Sequence, residues 1–360
     1  MKRLSMRPRG LRFVVVLATL ALVFAACGDD DAATTTAAAT TASTAAAMSE
    51  AGLPAPEKTS LEFGVSALTY HSFPLHYASS TGILAKYGIT SLNETYTEGV
   101  TTAIAALQGG QLDIQAGTGS SVLSSLATDT PFLTVASTLA VMTDGLFSSA
   151  DITTMQDLDG KKIAISTFGG ESHAAVVLSL RAAGMTQDDV EITQIGGQGD
   201  RIAALIAGSV SAAPIDVARQ AEMEGEGLRL LINLAEERLE LPRGGINVTR
   251  DFADENPNTV LALVAATIEA IQAMRDDPAA AAAEYASWSE VDLDEAQEEL
   301  DLYLEFAQDD LRINPDAWDA MQDVLSVTNP AVLDVTVSDA YTTRFVDQLE
   351  ELGFLTEMGL

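Results

Sequence analysis

The sequence predicts an α/β protein built from two lobes, and two observations support this prediction. Short apolar runs suited to buried strands alternate with helical stretches, which is the pattern of a parallel sheet with helices on its faces. Residues 104–107 with Gly110 also match residues 202–205 with Gly208 at a constant offset of 98. In each copy a predicted helix ends at the glycine and leads into a strand. We therefore expect two lobes made from similar units.

The first 26 residues have the features of an export signal. Residues 1–12 carry five basic side chains and no acid, and a 14-residue apolar run follows. That run is too short to span a bilayer, which needs about 20 residues. Ala25 and Ala26 stand directly before Cys27, the only cysteine in the sequence, in a pattern that resembles a bacterial lipobox. We expect a signal peptide over residues 1–26 and a lipidated Cys27; a plain secretory signal that leaves a free thiol is the alternative.

A tether is predicted between the anchor and the folded part, over residues 27–59. Every residue from 32 to 47 is Ala, Thr or Ser. Such a tract buries too little apolar surface to offset the entropy of ordering, so we expect it to be disordered. The lipid anchor would then hold the protein at the outer face of the cell membrane, with the folded part raised above it.

The charge balance of the chain limits its partners. The formal net charge is −33 at neutral pH, and cleavage of the basic signal would make the exported protein more acidic still. A strongly acidic surface repels nucleic acid and anionic lipid. We expect neither class of partner.

The folded part starts near residue 60 with an alternating strand of Leu61, Phe63 and Val65. A helix is predicted over residues 75–87, ending at Gly88, and buried strands over residues 132–136 and 163–165. The carboxyl third becomes helical. Pro257 opens a helix with an apolar stripe formed by Val260, Val264, Ile268, Ile271 and Met274. Asp292 with Glu295 caps a second helix, expected to bury Leu293, Leu300, Tyr303, Leu304 and Ala307.

Three stretches carry a resemblance to a known family. They are the run Gly-Gly-Gln-Leu-Asp-Ile at 109–114 followed by Pro-Phe-Leu-Thr-Val-Ala at 131–136, the run Leu-Asp-Gly-Lys-Lys-Ile-Ala-Ile at 158–165 followed by Gly-Gly-Glu-Ser at 169–172, and residues 204–212. In order and spacing they resemble the sulfonate, taurine, nitrate and thiamine-precursor binding proteins of ABC importers. The resemblance covers about residues 61–360.

The resemblance implies a two-lobed type II periplasmic binding protein fold with two crossovers and a helical carboxyl-terminal part. It places lobe one at residues 60–145 plus 246–360 and lobe two at residues 146–245, with hinges near 148–152 and 243–247. Ligands of such folds lie between the lobes, at carboxyl ends of strands and amino ends of helices. The implied partners are a small-molecule ligand and a membrane permease, with no cofactor.

The expected ligand-binding residues in lobe one lie after predicted strands. The loop after the first strand, residues 68–73, offers aromatic faces and polar groups, although it could be an ordinary turn. The loop after the third strand offers glycine and hydroxyl groups, although Ser120 could be only a helix cap. The candidates are Thr69, Tyr70, His71, Thr118, Gly119, Ser120 and Ser137.

Lobe two supplies the equivalent loop at residues 167–173, together with a glycine-rich loop and the end of a later strand. This region has neither the G-x-G-x-x-G fingerprint nor the lysine of a P-loop, so it does not predict a nucleotide site. Asp216 could equally be a solvated cap of the next helix. The candidates are Thr167, Phe168, Gly169, Glu171, Ser172, His173, Gln198 and Asp216.

Functions other than solute binding are also compatible with parts of the sequence. The histidines do not have metal-ligand spacing, so no metal site is predicted. A thiamine-pyrimidine-synthase-like enzyme is the main rival, but the folded part has no cysteine and no G-x-S-x-G or H-E-x-x-H motif. A structural surface lipoprotein is a third possibility. For the ligand, the family favours sulfonate, nitrate or taurine, whereas Glu171 and Asp216 slightly favour an aminopyrimidine-like ring.

Overall fold

The computed structural model describes residues 48–66, 68–97, 100–130 and 132–360, apart from the side chains of residues 100 and 101. The signal peptide, Cys27 and the tether up to residue 47 lie outside the described residues and stay predictions. The described residues from 48 to 360 belong to one compact unit.

The strands alternate with helices in the order that the sequence pattern indicates. The strands are β1 (Ser60–Val65), β2 (Ser91–Tyr96), β3 (Ile114–Gly117), β4 (Phe132–Val141), β5 (Asp144–Ser148), β6 (Lys162–Ile165), β7 (Glu191–Gln194), β8 (Ala212–Asp216), β9 (Arg229–Asn233) and β10 (Glu240–Thr249). The α-helices are α1 (Phe73–Ser80), α2 (Ile83–Lys86), α3 (Val100–Gln108), α4 (Gly119–Leu126), α5 (Glu171–Ala182), α6 (Gln198–Ile206), α7 (Gln220–Gly225), α8 (Arg250–Glu255), α9 (Pro257–Asp276), α10 (Pro278–Ser289), α11 (Leu293–Phe306), α12 (Pro315–Ser326), α13 (Arg344–Glu351) and α14 (Phe354–Glu357). Short 3-10 helices cover Met155–Leu158, Gln187–Asp189, Val217–Arg219, Pro330–Asp334 and Val337–Asp339.

Two five-stranded sheets have the same topology. Sheet one has the order β2-β1-β3-β10-β4, and sheet two has the order β7-β6-β8-β5-β9. In each sheet three parallel strands are followed by one antiparallel strand, which is β10 in sheet one and β5 in sheet two. Along the chain, β5 of sheet two comes directly after β4 of sheet one, and β10 of sheet one comes directly after β9 of sheet two. The two-lobed α/β architecture with two crossovers is therefore confirmed.

The crossings lie a few residues away from the predicted lobe boundaries. The chain passes between the sheets at residues 142–143 and again at residues 234–239. Asp144 and Gly145, predicted in lobe one, pair with β8 in sheet two, and residues 240–245, predicted in lobe two, belong to β10 of sheet one. The hinge predicted near 243–247 falls inside β10, where the glycines allow close packing of strands. A Cβ on Gly245 would lie 2.8 Å from the Ala136 carbonyl oxygen.

The internal similarity corresponds to equivalent structural units. Helices α3 and α6 begin and end 98 residues apart, and the first residues of β3 and β8 share that offset. Gly110 and Gly208 both follow their helix with a positive φ, at 66° and 68°. Glycine adopts this left-handed conformation without the penalty that a Cβ brings. The prediction of two lobes built on similar units is confirmed at these elements.

Some predicted helices differ in detail. The helix expected over residues 75–87 is two helices, α1 and α2, because Gly82 has a φ of 79° that interrupts the first. The stripe of α9 is buried as expected, and this helix, although long and apolar enough to cross a membrane, lies largely within the protein core. Leu293 is 54% exposed rather than buried, because it is the first residue of α11.

A buried apolar cluster joins helices associated with both sheets. We call it the Trp318 cluster. It contains Trp318 and Met321 of α12, Val122 and Leu123 of α4, and Ala174, Ala175 and Val177 of α5. Helix α12 was assigned to lobe one by sequence, yet it packs against α4 on one side and α5 on the other. It therefore bridges the two sheets.

Close packing at the start of α4 gives a first prediction. A Cβ on Gly119 would lie 2.2 Å from Pro242 Cγ and 3.1 Å from the Pro242 carbonyl oxygen, whereas a Cβ on Gly199 of α6 would have no neighbour within 4 Å. We expect Gly119→Ala to lower the free energy of unfolding by about 1–3 kcal/mol, as overpacking does. Gly199→Ala should be neutral or slightly stabilising, because alanine favours helix. Urea unfolding measures both, and equal midpoints for the two variants would contradict the packing argument.

Candidate functional site

Two adjoining cavities lie between residues of the two sheets. The larger, of about 530 Å³, is the hydroxyl cavity, and the smaller, of about 320 Å³, is the acidic cavity. The hydroxyl cavity is lined by Ile104, Thr118, Ser120, Ser121, Ser124, Ser125, Thr128, Thr130, Ser166, Thr167, Phe168, Gly169, Gly170 and Glu171. The acidic cavity is lined by Thr69, Tyr70, His71, Asp144, Ser166, Glu171, Ser172, Gln198, Arg201, Asp216, Arg243 and Glu299. Ser166 and Glu171 belong to both walls.

The strand ends explain why these side chains meet. Strand β3 ends beside Thr118, β6 ends before Ser166, and β8 ends at Asp216. Carboxyl ends of parallel strands lie at one edge of a sheet, where ligands of open α/β folds bind. Because the two sheets have the same topology, both contribute an edge of this kind to the site.

Arg243 is the centre of the acidic cavity. It stands on β10 of sheet one, is 5% exposed, and forms an ion pair with Asp144 of sheet two. Its Nη2 lies 3.7 Å from Asp216 Oδ2, and its Nη1 lies 3.9 Å from Glu171 Oε1. Burial alone lowers the pKa of Arg243, but attraction to Asp144 and the neighbouring acids outweighs it and raises the pKa above its ordinary value. Arg243 therefore remains a cation that links the two sheets.

Glu171 forms the wall between the cavities, at the start of α5. Burial raises the pKa of Glu171 to about 7, and the charge of Arg243 opposes this rise. Its Oε1 atom is buried and has no hydrogen-bond partner among the described residues. A buried acceptor without a partner costs free energy, on the order of 1–3 kcal/mol or more for a charged group. Glu171 is therefore ready to accept a hydrogen bond from a molecule in the cleft.

Tyr70 and Asp216 form a contact across the cleft. Tyr70 follows β1, and its hydroxyl donates to the carboxylate of Asp216, the last residue of β8. The same hydroxyl lies 2.8 Å from the Thr143 hydroxyl. Burial raises the pKa of both Tyr70 and Asp216. The Tyr70 ring packs on His71 with centroids 4.2 Å apart. Burial lowers the pKa of His71, so its imidazole is neutral at physiological pH.

The hydroxyl cavity is lined by small hydroxyl groups. The Thr118 hydroxyl lies 2.8 Å from that of Ser120 and 3.1 Å from that of Ser121. The Ser166 hydroxyl lies 2.7 Å from that of Ser172 at the start of α5. The Phe168 ring is 54% exposed and offers an aromatic face on the same wall.

Twelve of the fifteen predicted ligand-binding residues line these cavities. They are Thr69, Tyr70, His71, Thr118, Ser120, Thr167, Phe168, Gly169, Glu171, Ser172, Gln198 and Asp216. The lining places them at the cleft, and their contact with a ligand stays a prediction. Gln198 also accepts a hydrogen bond from the Asp216 backbone at 3.0 Å, which holds both residues at the cavity.

Three predicted residues line neither cavity. Gly119 packs closely against Pro242. Ser137 is buried in β4, where its hydroxyl donates to the Gly244 carbonyl at 3.5 Å. His173 is turned away into its own lobe, where Nε2 lies 2.7 Å from Gln187 and Nδ1 accepts from the Gly169 backbone at 3.2 Å. Gly119 and His173 do lie in the segments after β3 and β6, whereas Ser137 lies within β4, which continues past the predicted end at residue 136. The direction of each side chain depends on contacts distant in sequence.

Several residues of the acidic cavity were not among the sequence-based candidates. They are Asp144, Ser166, Arg201, Arg243 and Glu299. Arg243 had one detectable signal, since it is a charged residue within an apolar, glycine-containing strand. Arg201 is already occupied, because its guanidinium donates to the Pro214 carbonyl at 3.1 Å and to the Gly196 carbonyl at 3.0 Å. Within the described part of the chain, no group of three or more His, Cys, Asp or Glu side chains has the arrangement of a metal site.

Comparison with known families decides the family of the chain. The family described as NMT1/THI5 like matches residues 70–281, more than half of the sequence. The chain belongs to the NMT1/THI5-like family. The matched segment contains both cavities apart from Thr69 and Glu299. No curated protein sequence matches the chain significantly.

Solved structures show the same fold as this NMT1/THI5-like protein. The alkanesulfonate-binding protein SsuA from Xanthomonas axonopodis pv. citri, bound to MOPS, has a TM-score of 0.66 at 20% identity, covering 79% of this chain and 99% of that one. The nitrate-binding protein NrtA from Synechocystis PCC 6803 has a TM-score of 0.66 at 14% identity, covering 83% and 90%. The Candida albicans CA3427 gene product, described as having the generic periplasmic binding protein fold, has a TM-score of 0.62 at 12% identity, covering 79% and 96%. At these identities the likeness shows the fold alone, and it confirms the predicted periplasmic binding protein fold.

Proposed function

We propose that this protein is the extracytoplasmic solute-binding component of an ABC importer, and that it binds a small organic solute without chemically changing it. The observation that carries the proposal is Glu171 Oε1, which lies on the wall between two cavities, is buried, and has no hydrogen-bond partner among the described residues. Ligand sites are concave and have a few polar groups that fix orientation. Family membership and the two-sheet fold support a receptor of this kind.

The charges of the acidic cavity support a ligand with N–H donors. Its wall carries the acids Asp144, Glu171, Asp216 and Glu299 against the cations Arg201 and Arg243. Arg201 donates to backbone carbonyls, and Arg243 Nη1 pairs with the Asp144 carboxylate, while Arg243 Nε is buried without a hydrogen-bond partner among the described residues. The four acids still outnumber the two cations at this wall. A small anion such as nitrate or a sulfonate would meet repulsion, whereas an amine-bearing ring would donate to Glu171. We therefore favour an aminopyrimidine-like or related nitrogen-containing solute over sulfonate, nitrate or taurine.

The proposed mechanism is closure of the two lobes about the crossings at residues 142–143 and 234–239. Side chains from both sheets line each cavity, so a ligand completes its contacts when the lobes are closed. The closed protein then docks on a membrane permease, which passes the solute inward. Tyr70 and Asp216 support this proposal, because their hydrogen bond connects the two sides of the cleft.

A ligand panel tests the proposal. We expect an aminopyrimidine at one hundred times its Kd to stabilise the protein by about 2.7 kcal/mol in a thermal shift assay. Glu171→Gln should raise the Kd on the order of tenfold to a hundredfold, because a hydrogen bond to a charged group contributes about 1.5–3 kcal/mol. Glu191→Gln, on an exposed side chain paired with Lys162, is the matched control and should leave the Kd unchanged. Stabilisation by nitrate or alkanesulfonates alone would contradict the proposed ligand class.

Anchoring through Cys27 is a separate proposal, supported by the position of the single cysteine at the end of the export signal. Replacing Cys27 with Ser should move the protein from the membrane fraction to the soluble fraction, because two acyl chains are enough for stable anchoring. Fractionation followed by immunoblotting measures the change. Membrane retention equal to that of the wild type would exclude lipidation as the anchor.

A further inference from the structure

We infer that the solute has two parts, a nitrogen-containing head held in the acidic cavity and an uncharged, hydroxyl-rich arm, such as a sugar or polyol, held in the hydroxyl cavity. This inference rests on the proposed function and specifies its substrate class. Three observations support it: the hydrogen-bonding capacity of the hydroxyl cavity, its charge, and the adjacency of the two cavities.

The hydroxyl groups of the larger cavity have unused hydrogen-bonding capacity. Thr118, Ser120 and Ser121 carry three hydroxyl protons, and the two contacts among them use at most two. At least one proton is therefore left to donate to a ligand, and lone pairs remain to accept. Ser166 also lines this cavity, and its hydroxyl shares a single contact with that of Ser172, which lines the acidic cavity. The cavity can both donate and accept.

The hydroxyl groups continue along one face of α4. Ser121, Ser124 and Ser125 line the cavity at spacings of three and four residues, which places them on the same side of the helix, and Thr128 lines the cavity just after the helix ends. Ser125 and Thr128 donate to backbone carbonyls, at 2.7 Å and 2.8 Å, so their oxygens remain able to accept from a ligand. A row of this kind is suited to a ligand arm with several hydroxyl groups.

The charge of the hydroxyl cavity favours an uncharged arm over an anion. Its described lining contains no lysine, arginine or histidine, and its one charged residue is the acid Glu171. Anionic oxygens only accept hydrogen bonds, whereas alcohol groups donate and accept as serine and threonine do. A sulfonate or phosphate in this cavity would therefore lack a cationic partner and face a carboxylate.

The adjacency of the two cavities indicates a single ligand that reaches both. Ser166 and Glu171 line both cavities, so the two spaces are adjacent and share these side chains as their common wall. A solute as small as nitrate would leave most of the 530 Å³ hydroxyl cavity unfilled. The exposed Phe168 ring beside Gly169 offers a face on which the apolar side of a sugar ring can pack.

Matched ligands with and without the arm test this inference. Calorimetric titration of the full chain would compare cytosine with cytidine, adenine with adenosine, and ribose and glucosamine as further probes. We expect each nucleoside to have a Kd at least tenfold below that of its base, with ribose alone the weakest. Equal affinity of base and nucleoside would overturn the inference and leave the proposed function standing. Binding of alkanesulfonates or nitrate in place of all these probes would overturn the inference and the proposed head group together.

Variants of each cavity separate the two parts of the ligand. Ser121→Ala should raise the Kd of the nucleoside five- to tenfold and leave the Kd of the base unchanged, whereas Glu171→Gln should weaken both. Ser209→Ala, whose hydroxyl donates to the Ala204 carbonyl on an exposed surface, is the matched control. The unliganded Tm of each variant confirms that it is folded, and the result is repeated with Ser124→Ala. Equal losses for base and nucleoside in both serine variants would overturn the assignment of the hydroxyl cavity to the arm.

Discussion

Replacing Arg243 with methionine is expected to lower the free energy of unfolding by about 3–5 kcal/mol. The guanidinium is buried between Asp144, Asp216 and Glu171 and is paired with the first of them. Methionine fills a similar volume but leaves these carboxylates without their cation in a buried site. Chemical denaturation at pH 7.5 measures the loss, and Arg181→Met is the matched control. Arg181 pairs with Asp323 at the surface, where such pairs contribute about 0–1 kcal/mol.

A compensating substitution makes the Arg243 prediction specific. Adding Asp144→Asn to Arg243→Met should recover part of the lost stability, because it removes one of the uncompensated charges. The same Asp144→Asn substitution alone should destabilise the protein, since Arg243 then loses its main partner. If the double variant were as unstable as the sum of the two single variants, the loss would come from packing rather than from charge.

Stability and ligand affinity are expected to change in opposite directions with pH. Burial raises the pKa of Glu171 and of Glu299 to about 7, above the ordinary carboxyl value of 4.5. Between those two pH values the folded protein binds more protons than the unfolded chain, so its stability falls as pH rises. Each group then contributes on the order of 1–3 kcal/mol of stability that is present below pH 4.5 and lost by pH 7. The affinity for an amine donor should instead rise over the same range, as Glu171 becomes charged.

Glu171→Gln isolates the contribution of this group. In thermal unfolding between pH 5 and pH 8, the variant should have a shallower dependence of stability on pH than the wild type. In titrations with the aminopyrimidine, its affinity should lose most of its pH dependence between pH 6 and pH 8. Glu191→Gln should follow the wild type in both experiments. Parallel pH curves for wild type and Glu171→Gln would show that Glu171 does not titrate in this range.

Local patterns predicted much of the fold from the sequence. The offset similarity identified α3 with β3 and α6 with β8 as equivalent units, because helix ends at glycine are encoded by neighbouring residues. The position of the crossings was harder to predict from the sequence. The passage from β4 to β5 contains the turn-type pair Asp144-Gly145, yet these two residues begin a strand of the other sheet. Their local pattern therefore does not identify a crossing. The second predicted hinge, near 243–247, lies within β10, where two glycines allow close packing of strands.

The candidate site was only partly predictable, for a related reason. Loops after strands are recognisable from sequence, and they supplied Tyr70, Thr118 and Glu171. Arg243 and Asp144 are 99 positions apart and meet through the crossing strands, so neither has a local pattern that identifies its partner. The direction of the His173 side chain was equally hard to predict, because both of its ring nitrogens form hydrogen bonds with residues of its own lobe.

The Trp318 cluster has a thermodynamic consequence for lobe movement. Helix α12 buries apolar side chains against α5 and α4 at once, so any opening that separates these helices exposes apolar surface to water. Exposure of apolar surface raises the heat capacity. If the lobes open as proposed, the open state would therefore have a larger heat capacity than the closed one, and its enthalpy relative to the closed state would grow with temperature. A ligand that holds the lobes closed should thus bind with a negative heat-capacity change larger than its own apolar area explains.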